Sequence, residues 1–422
     1  MENAVVKRDF ASYTRPGMAT VITHIGQLVT PLGATAARGD AMGQLHIAHN
    51  VEILIEDRGR IAQISQTVPR DGVATVIDAG GGVIVPGFVD AHTHAVFARG
   101  REEEFLARAQ GVAYDGGGIL ASADHVAQVT LEELIAHARP FLQRMLAHGT
   151  TTAEVKSGYG LSVDGEVKLL LAIRALGADL PLTLVPTFLG AHSFPQGMSR
   201  DDYLALLIEV MLPRVKQESL ATFCVVFCDR GFYTPGEARA VLLAASAAGL
   251  GLKLHADELA DTGGASLAAD VGATSADHLI RANRAGLERL ADAGVVAVLL
   301  PGTSFTLNTR YAPARDMVAM GVPVAVASDF NPGSCPIYSM PVMISLAVSR
   351  LGLTVEEAIT ASTLNGAAAL GMAAQTGSVE VGKLADLLVL DLDSYRQLPY
   401  YFAHNPVRTV FVAGRVVHGD PP

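Results

Sequence analysis

The 422-residue chain contains no tryptophan, only three cysteines and an aromatic share of 6%. Three cysteines cannot staple a fold of this length, which argues against a disulfide-built secreted scaffold and sets the expectation of a reducing compartment, the cytoplasm. Cys224 and Cys228 sit in the apolar run FCVVFC with no second Cys or His pair nearby, so they read as buried thiols and not as a zinc knuckle. Positive charge is also scarce: 31 Lys and Arg face 42 Asp and Glu, a formal net charge of −11. Broad affinity for nucleic acid or for an anionic membrane surface needs basic patches, so neither is an expected partner. An anionic small-molecule substrate would have to meet positive charge placed locally. No signal peptide and no unbroken apolar run of ~20 residues is found, so no membrane association is expected. Glycine-rich nucleotide fingerprints of the GxGxxG or Walker type are missing as well.

What the chain does have is apolar residues, half of the total, and 42 glycines. That composition supports a substantial core of tightly packed strands and helices, and the length suits a large barrel plus a smaller module. The stretch PGFVDAHTHAVFARGREEEF, from Pro86 to Phe105, organises the rest. Val83, Ile84 and Val85 are a β-branched lead-in, Pro86-Gly87 is a kink, and Phe88-Val89 resumes the apolar run before Asp90, His92 and His94. On a strand alternate side chains share a face, so both imidazoles project the same way, ~6.6 Å apart along the backbone. Two such donors are half of a metal site. The segment that follows, with Arg99, Arg101 and three glutamates, reads as a loop that displays function.

Residues 1–85 read as short strands, with a hairpin at VEILIEDRGRIAQIS turning on Asp57-Arg58-Gly59. ADLLVLDLD from Ala385 and VRTVFVAGRVVHG from Val407 repeat the style near the other end, with a second hairpin turn at Gly414-Arg415. Neither piece buries a sheet alone. Between them strands and helices alternate. Capping boxes at Thr130/Glu133, Thr234/Glu237 and Thr354/Glu357 open helices, the last running on towards Gly366. Seven more strands follow the first, near Thr151, Leu182, Thr222, Gly251, Ser275, Val295 and Pro323. Eight strands alternating with helices imply a parallel sheet closed into a (β/α)8 TIM-type barrel. The expected fold is therefore α/β, with that barrel over residues 86–372 and a small β-sandwich assembled from both chain ends, 1–85 and 373–422.

Polar residues collect at the expected strand exits: His92 and His94 on the first, Lys156 to Tyr159 on the second, His192 on the third, His255 and Glu258 on the fifth, Asp277-His278 on the sixth and Asp329 on the eighth. Barrels of this type build active sites at that end. HTH on strand one, single histidines on strands five and six and an aspartate on strand eight resemble the amidohydrolase superfamily. Within it, HTHAVFARGREEEF, EVKSGYGL, GAHSFP, KLHADEL with SADHL, and SDFNPGS resemble the imidazolonepropionase family. The resemblance spans nearly the whole chain.

That resemblance implies a hydrolase that opens the imidazolone ring of 4-imidazolone-5-propanoate to N-formimidoyl-L-glutamate in histidine degradation, by attack of a metal-bound hydroxide on the ring carbonyl. It makes His92, His94, His255 and Asp329 the ligands of one Zn²⁺ or Fe ion per subunit, a set that leaves a position open for water. Many superfamily members hold a second ion through a carboxylated lysine on strand four. TFCVVFCD has no lysine, and Lys156 lies on strand two, which favours a single ion. Asp329, His278 and Glu258 are the implied catalytic residues: Asp329 to shuttle the water proton, His278 to polarise the carbonyl, Glu258 to bind a ring N–H. Arg101 matches the propanoate-binding arginine, Tyr159 and His192 match substrate contacts, and Asn331, Gly333 and Ser334 match the loop that holds substrate or product. FCVVFCD departs from the more acidic form of the family near Val225 and Asp229, which implies a change in packing and not in activity. A homodimer is expected from the family and from the commonness of twofold enzymes. The alternative is an amidohydrolase-type purine or pyrimidine deaminase, which shares the HxxE spacing of His255 and Glu258 but not Arg101 or the DFNPGS loop.

Overall fold

A computed structural model of the protein describes residues 19–111 and 118–419. Eight parallel strands form one sheet in sequence order: Phe88–Asp90, Thr150–Lys156, Thr183–Ala191, Phe223–Cys228, Gly251–Ala256, Ser275–His278, Val296–Leu299 and Val324–Val326, called barrel strands one to eight below. The seam between strands one and eight is closed just beyond their ends. Thr93 bridges Phe330, His94 N–H donates to Phe330 O at 2.8 Å, and Asp329 N–H donates to His92 O at 3.0 Å. Asp90 reinforces the seam by accepting from Ser328 N–H at 2.9 Å and from its hydroxyl at 2.5 Å. The backbone that closes the barrel is thus the backbone that carries the expected metal ligands.

Two further sheets face each other across Ile22, Ile53, Ile77, Ile84, Leu387 and Phe411, a separate apolar core. One sheet has four strands, in the order Ile61–Ser65, Val51–Ile55, Ala19–Ile25 and Val73–Asp78. The other has six, in the order Arg415–His418, Val407–Val412, Leu387–Leu390, Val83–Pro86, Gln27–Thr30 and His46–Ala48. Its central pair joins the two ends of the chain, Val85 opposite Leu388 and Ile84 opposite Val389. The Pro86-Gly87 kink is where the chain passes from this sheet into barrel strand one. A Cβ on Gly87 would stand 2.2 Å from Thr151 Oγ1, so glycine is the residue that fits the crossing.

The three capping boxes form as the sequence indicates, opening helices Leu131–Ala147, Pro235–Ala247 and Val355–Ser362. Two expectations are corrected. The REEEF segment is not a loop: Glu102–Ala109 is a helix, with three glutamates in its first turn, Arg108 in its last and a Glu104–Arg108 pair one turn apart. The helix begun at Thr354 does not run unbroken to Gly366 but stops at Ser362, and a second starts at Leu364. The break lets Gly366 lie against barrel strand one, where a Cβ would be 2.6 Å from Val89 O.

The barrel interior is layered. Val89, Val185, Phe223, Val296 and Ala325 form an apolar floor. Above it lie Glu154 and Lys156 of strand two, Lys253 of strand five and Asp277 of strand six, all with no exposed surface. The histidines and Asp329 sit above that charged layer.

Candidate active site

Four donor atoms converge at the carboxyl end of the barrel. His255 Nε2 is 3.4 Å from His94 Nε2, and Asp329 Oδ1 is 3.4 Å from His92 Nε2 and 3.7 Å from His94 Nε2. Atoms ~2.1 Å from the centre of a tetrahedron are ~3.4 Å apart, so these spacings fit the ligand shell of one ion. His92 Nε2 is also buried without a hydrogen-bond partner among the described residues, a lone pair that a cation would satisfy. Burial holds all three imidazoles well below the usual histidine range, hence neutral, which is the ligating form. Asp329 is pushed by burial up to about 7, against the pull of the Thr303 hydroxyl. Thr303 Oγ1 donates to Asp329 Oδ2 at 2.5 Å, leaving Oδ1 turned to the histidines.

The charged layer beneath is fully paired. Lys156 contacts Glu154 Oε2, while Glu154 Oε1 takes Lys253 Nζ at 2.8 Å and Thr187 Oγ1 at 2.7 Å. Burial alone would raise the Glu154 carboxyl, but Lys156 and Lys253 hold it below its ordinary value. Asp277 Oδ2 is 2.7 Å from His92 Nδ1, and Ser275 Oγ donates to Asp277 Oδ1 at 2.6 Å.

Of the remaining residues expected from the sequence, Arg101, Tyr159, His192, Glu258, His278, Asn331 and Ser334 line one cavity with His94, His255 and Asp329. His92 and Gly333 lie behind this wall. The His192 ring stacks on His94, 16° from parallel at 5.1 Å, and its Nδ1–H donates to Gly158 O at 2.9 Å, which leaves Nε2 as an acceptor. Burial depresses His192 and His278 to about 3. Glu258 is pushed well above the carboxylate range by burial and by Asp329 and Asp229, so it can hold a proton; its Oε2 is 3.6 Å from His278 Nε2.

Arg101 is held edge-on by Glu104, with Nε 2.9 Å from Oε2 and Nη2 3.2 Å from Oε1, and Nη1 reaches Ser122 Oγ at 3.3 Å. Arg108 ties the same glutamate to the loop, donating to Glu104 Oε1 at 2.7 Å and to Gly333 O at 2.6 Å. Asn331 shapes that loop from within. Its Oδ1 accepts from Gly333 N–H and Ser334 N–H at 2.8 and 2.7 Å, and its Nδ2 donates to Asp329 O and Ser334 Oγ at 2.7 and 2.9 Å.

Two site residues, His278 at φ 73° and Asp329 at 53°, and Asp257 beside Glu258 at 51°, have left-handed backbone. Such strain is held only where surrounding contacts over-determine it. At His278 it has a geometric use. Ser275 and Asp277 share the inward face of strand six, so regular alternation would send His278 outward; the left-handed turn brings it into the cavity instead.

Sequence reasoning missed several supports. Glu166 accepts from Gly158, Gly160 and Leu161 N–H at 2.7–3.0 Å and so fixes the loop that carries Tyr159. Asp229 does the same for Glu258, accepting from the N–H groups of Glu258 and Leu259 at 2.7 and 2.8 Å. Phe227 and Ile119 add apolar wall to the cavity. A usable signal existed for the charged layer: Glu154/Lys156 and Lys253/His255 are charged or ionisable residues two apart on fully or largely buried strands.

Residues 83–417 match the model of the amidohydrolase family. The imidazolonepropionase of Symbiobacterium thermophilum is 45% identical over 412 residues, covering 94% of this chain and 96% of its own. That of Geobacillus kaustophilus is 44% identical, covering 93% and 96%. A solved triazine hydrolase variant superposes with a TM-score of 0.76 over 95% of each chain at 17% identity, a likeness of fold alone. With a barrel of eight strands, three neutral imidazoles and a carboxylate at its mouth, and this degree of identity along nearly its whole length, the chain belongs to the amidohydrolase family and, within it, to the imidazolonepropionases.

Proposed function

We propose that the cavity hydrolyses 4-imidazolone-5-propanoate to N-formimidoyl-L-glutamate, with His92, His94, His255 and Asp329 holding one Zn²⁺ or Fe ion. The observation that carries this reading is the donor cluster in which His255 Nε2 lies 3.4 Å from His94 Nε2 and Asp329 Oδ1 lies 3.4 and 3.7 Å from His92 and His94 Nε2, in a cavity whose wall includes Arg101. Nitrogen and carboxylate donors of this kind suit either metal. When bound, the ion supplies Lewis acidity, making water nucleophilic at neutral pH. A single ion is favoured because, in the second acidic cluster beside His92, Glu154 is already neutralised by Lys156 and Lys253 and Asp277 is engaged by His92 Nδ1.

The protein's own groups then divide the work. Arg101 pairs with the propanoate and sets the ring's direction, with Tyr159, His192 and Ser334 around it and Asn331 and Gly333 shaping the loop. Neutral His278 donates to the carbonyl oxygen as negative charge develops there. Asp329 takes a proton from the attacking water and returns it to the ring nitrogen as the C–N bond breaks; Glu258 meets a ring N–H. Water's oxygen ends on the carbonyl carbon as the new carboxylate, and the nitrogen leaves as part of the formimidoyl group. Arg101 suits a carboxylate-bearing ring better than a neutral purine or pyrimidine, which disfavours the deaminase alternative.

The same reading includes a homodimer, supported by the prevalence of twofold symmetry, and the cytoplasm, supported by three free, buried cysteines. No helix among the described residues is long and apolar enough to cross a membrane. The test is metal content and turnover in one preparation. Stoichiometric metal with formation of N-formimidoyl-L-glutamate is expected; a metal-loaded protein that leaves this substrate intact and releases ammonia from guanine or cytosine would overturn the reading.

A further inference from the structure

Beneath the donor cluster, Asp277 and Lys253 hold His92 from two directions. Asp277 Oδ2 is 2.7 Å from His92 Nδ1. Its other oxygen accepts from Ser275 Oγ at 2.6 Å, so the carboxylate cannot turn away. Lys253 Nζ donates to the carbonyl of Ala91, the residue before His92, at 2.9 Å, and stands 4.0 Å from Asp277 Oδ2. The same ammonium is anchored to Glu154 at 2.8 Å. Side chain and backbone of His92 are thereby fixed at once, from strands five and six, in a layer with no exposed surface.

Stability alone is a poor account of this arrangement. Buried ion pairs cost about as much in desolvation as they return, and apolar packing of equal volume often does as well. Orientation is what a buried carboxylate gives a ligating imidazole: it keeps the proton on one nitrogen and aims the lone pair of the other. Here the aimed atom is His92 Nε2, which faces Asp329 Oδ1 at 3.4 Å.

We propose that Asp277 and Lys253 are positioning residues that lock His92 as the Nδ1–H tautomer, with its Nε2 lone pair turned into the donor cluster before any ion arrives. The proposal rests on the metal reading above. Asp277 acts on the ring, and Lys253 acts on the backbone carbonyl and on the field around Asp277.

The test combines metal affinity with direct observation of the tautomer. Co²⁺ affinity of the whole protein, measured by chelator competition, is expected to fall roughly 10- to 100-fold in Asp277→Asn, with a shifted visible spectrum. Lys253→Met should lose affinity in the same direction, and Lys253→Arg should restore part of it. A merely structural role would lower the melting temperature of the metal-free protein and leave affinity and spectrum of the folded protein unchanged; that result would overturn the proposal. Should Asp277→Asn not fold, ¹⁵N-histidine NMR of the metal-free parent decides, with His92 assigned by its substitution. Protonated Nδ1 at His92 supports the lock and protonated Nε2 refutes it. Failure of the parent to bind Co²⁺ at all would sink the metal reading and this proposal together, whereas parental affinity in a folded Asp277→Asn protein sinks the proposal alone.

Discussion

Gly333 lies so close beneath Arg101 that a Cβ at this position would stand 1.7 Å from Arg101 Nη2. The guanidinium therefore occupies the space that a side chain at 333 would fill. Gly333→Ala should push Arg101 out of the cavity wall and raise KM for the propanoate substrate several-fold, with metal content unchanged. Arg101→Ala should raise KM more, roughly 10- to 100-fold, in line with the loss of a charge-assisted contact. Steady-state kinetics on both variants checks this, and a parental KM in Arg101→Ala would remove Arg101 from substrate recognition.

Glu258 depends on Asp229. With its backbone N–H held by Asp229 at 2.7 Å, removal of that carboxylate should loosen the Glu258 loop. Asp229→Ala is expected to lower kcat about tenfold while retaining metal, and Glu258→Gln to lower it by ~10²-fold or more. Equal kcat in the parent and Asp229→Ala would show that the anchor is dispensable.

Ser328 and Asp90 staple the barrel seam through two buried hydrogen bonds. Ser328→Ala keeps the backbone bond and strands half of the carboxylate, which should cost ~1–3 kcal/mol. Denaturant unfolding measures it; no change in stability would mean that the seam is carried by the backbone bridges alone.

An ion that binds the native state and not the unfolded chain adds stability in proportion to RT ln(1 + [L]/Kd). Chelation should therefore abolish turnover and lower Tm together, and re-addition of Zn²⁺ or Fe²⁺ should restore both. Turnover that survives verified metal removal would contradict the proposed chemistry.

Burial pushes the Cys224 and Cys228 thiols up to about 12. Thiolate, the reactive form, is then scarce at pH 8. All three cysteines should resist a thiol reagent in the native protein and react after unfolding; rapid labelling of Cys224 in the folded protein would show that the strand is open.

What was legible from sequence is the place of His92, His94, His255 and Asp329 at strand ends, where an apolar run followed by a polar residue marks them; their role as metal ligands is what the family resemblance implies. The barrel was legible for the same reason, since each strand and capping box is a local signal. Thr303 and Asp277 were not assigned their roles because each acts on a partner far along the chain. Thr303 acts across 26 residues to Asp329, and Asp277 across 185 to His92. The left-handed turn at His278 left no mark either, because histidine carries no glycine-like signature of positive φ. The helix at Glu102 was hidden by its acidic run, which reads as solvated surface until the dipole and Arg108 are considered.

The sheet that joins both ends of the chain sets an order on synthesis. Val83–Pro86 emerges from the ribosome early, yet its neighbour Leu387–Leu390 is made only after the whole barrel, and Val379 N–H must still find Thr30 Oγ1 across 349 residues. Contacts this distant in sequence are slow to form and leave strand edges uncovered meanwhile. The nascent chain therefore carries an open apolar edge at Val83–Pro86 for most of its translation, and that edge can be covered by its partner only after residues 387–390 have been made.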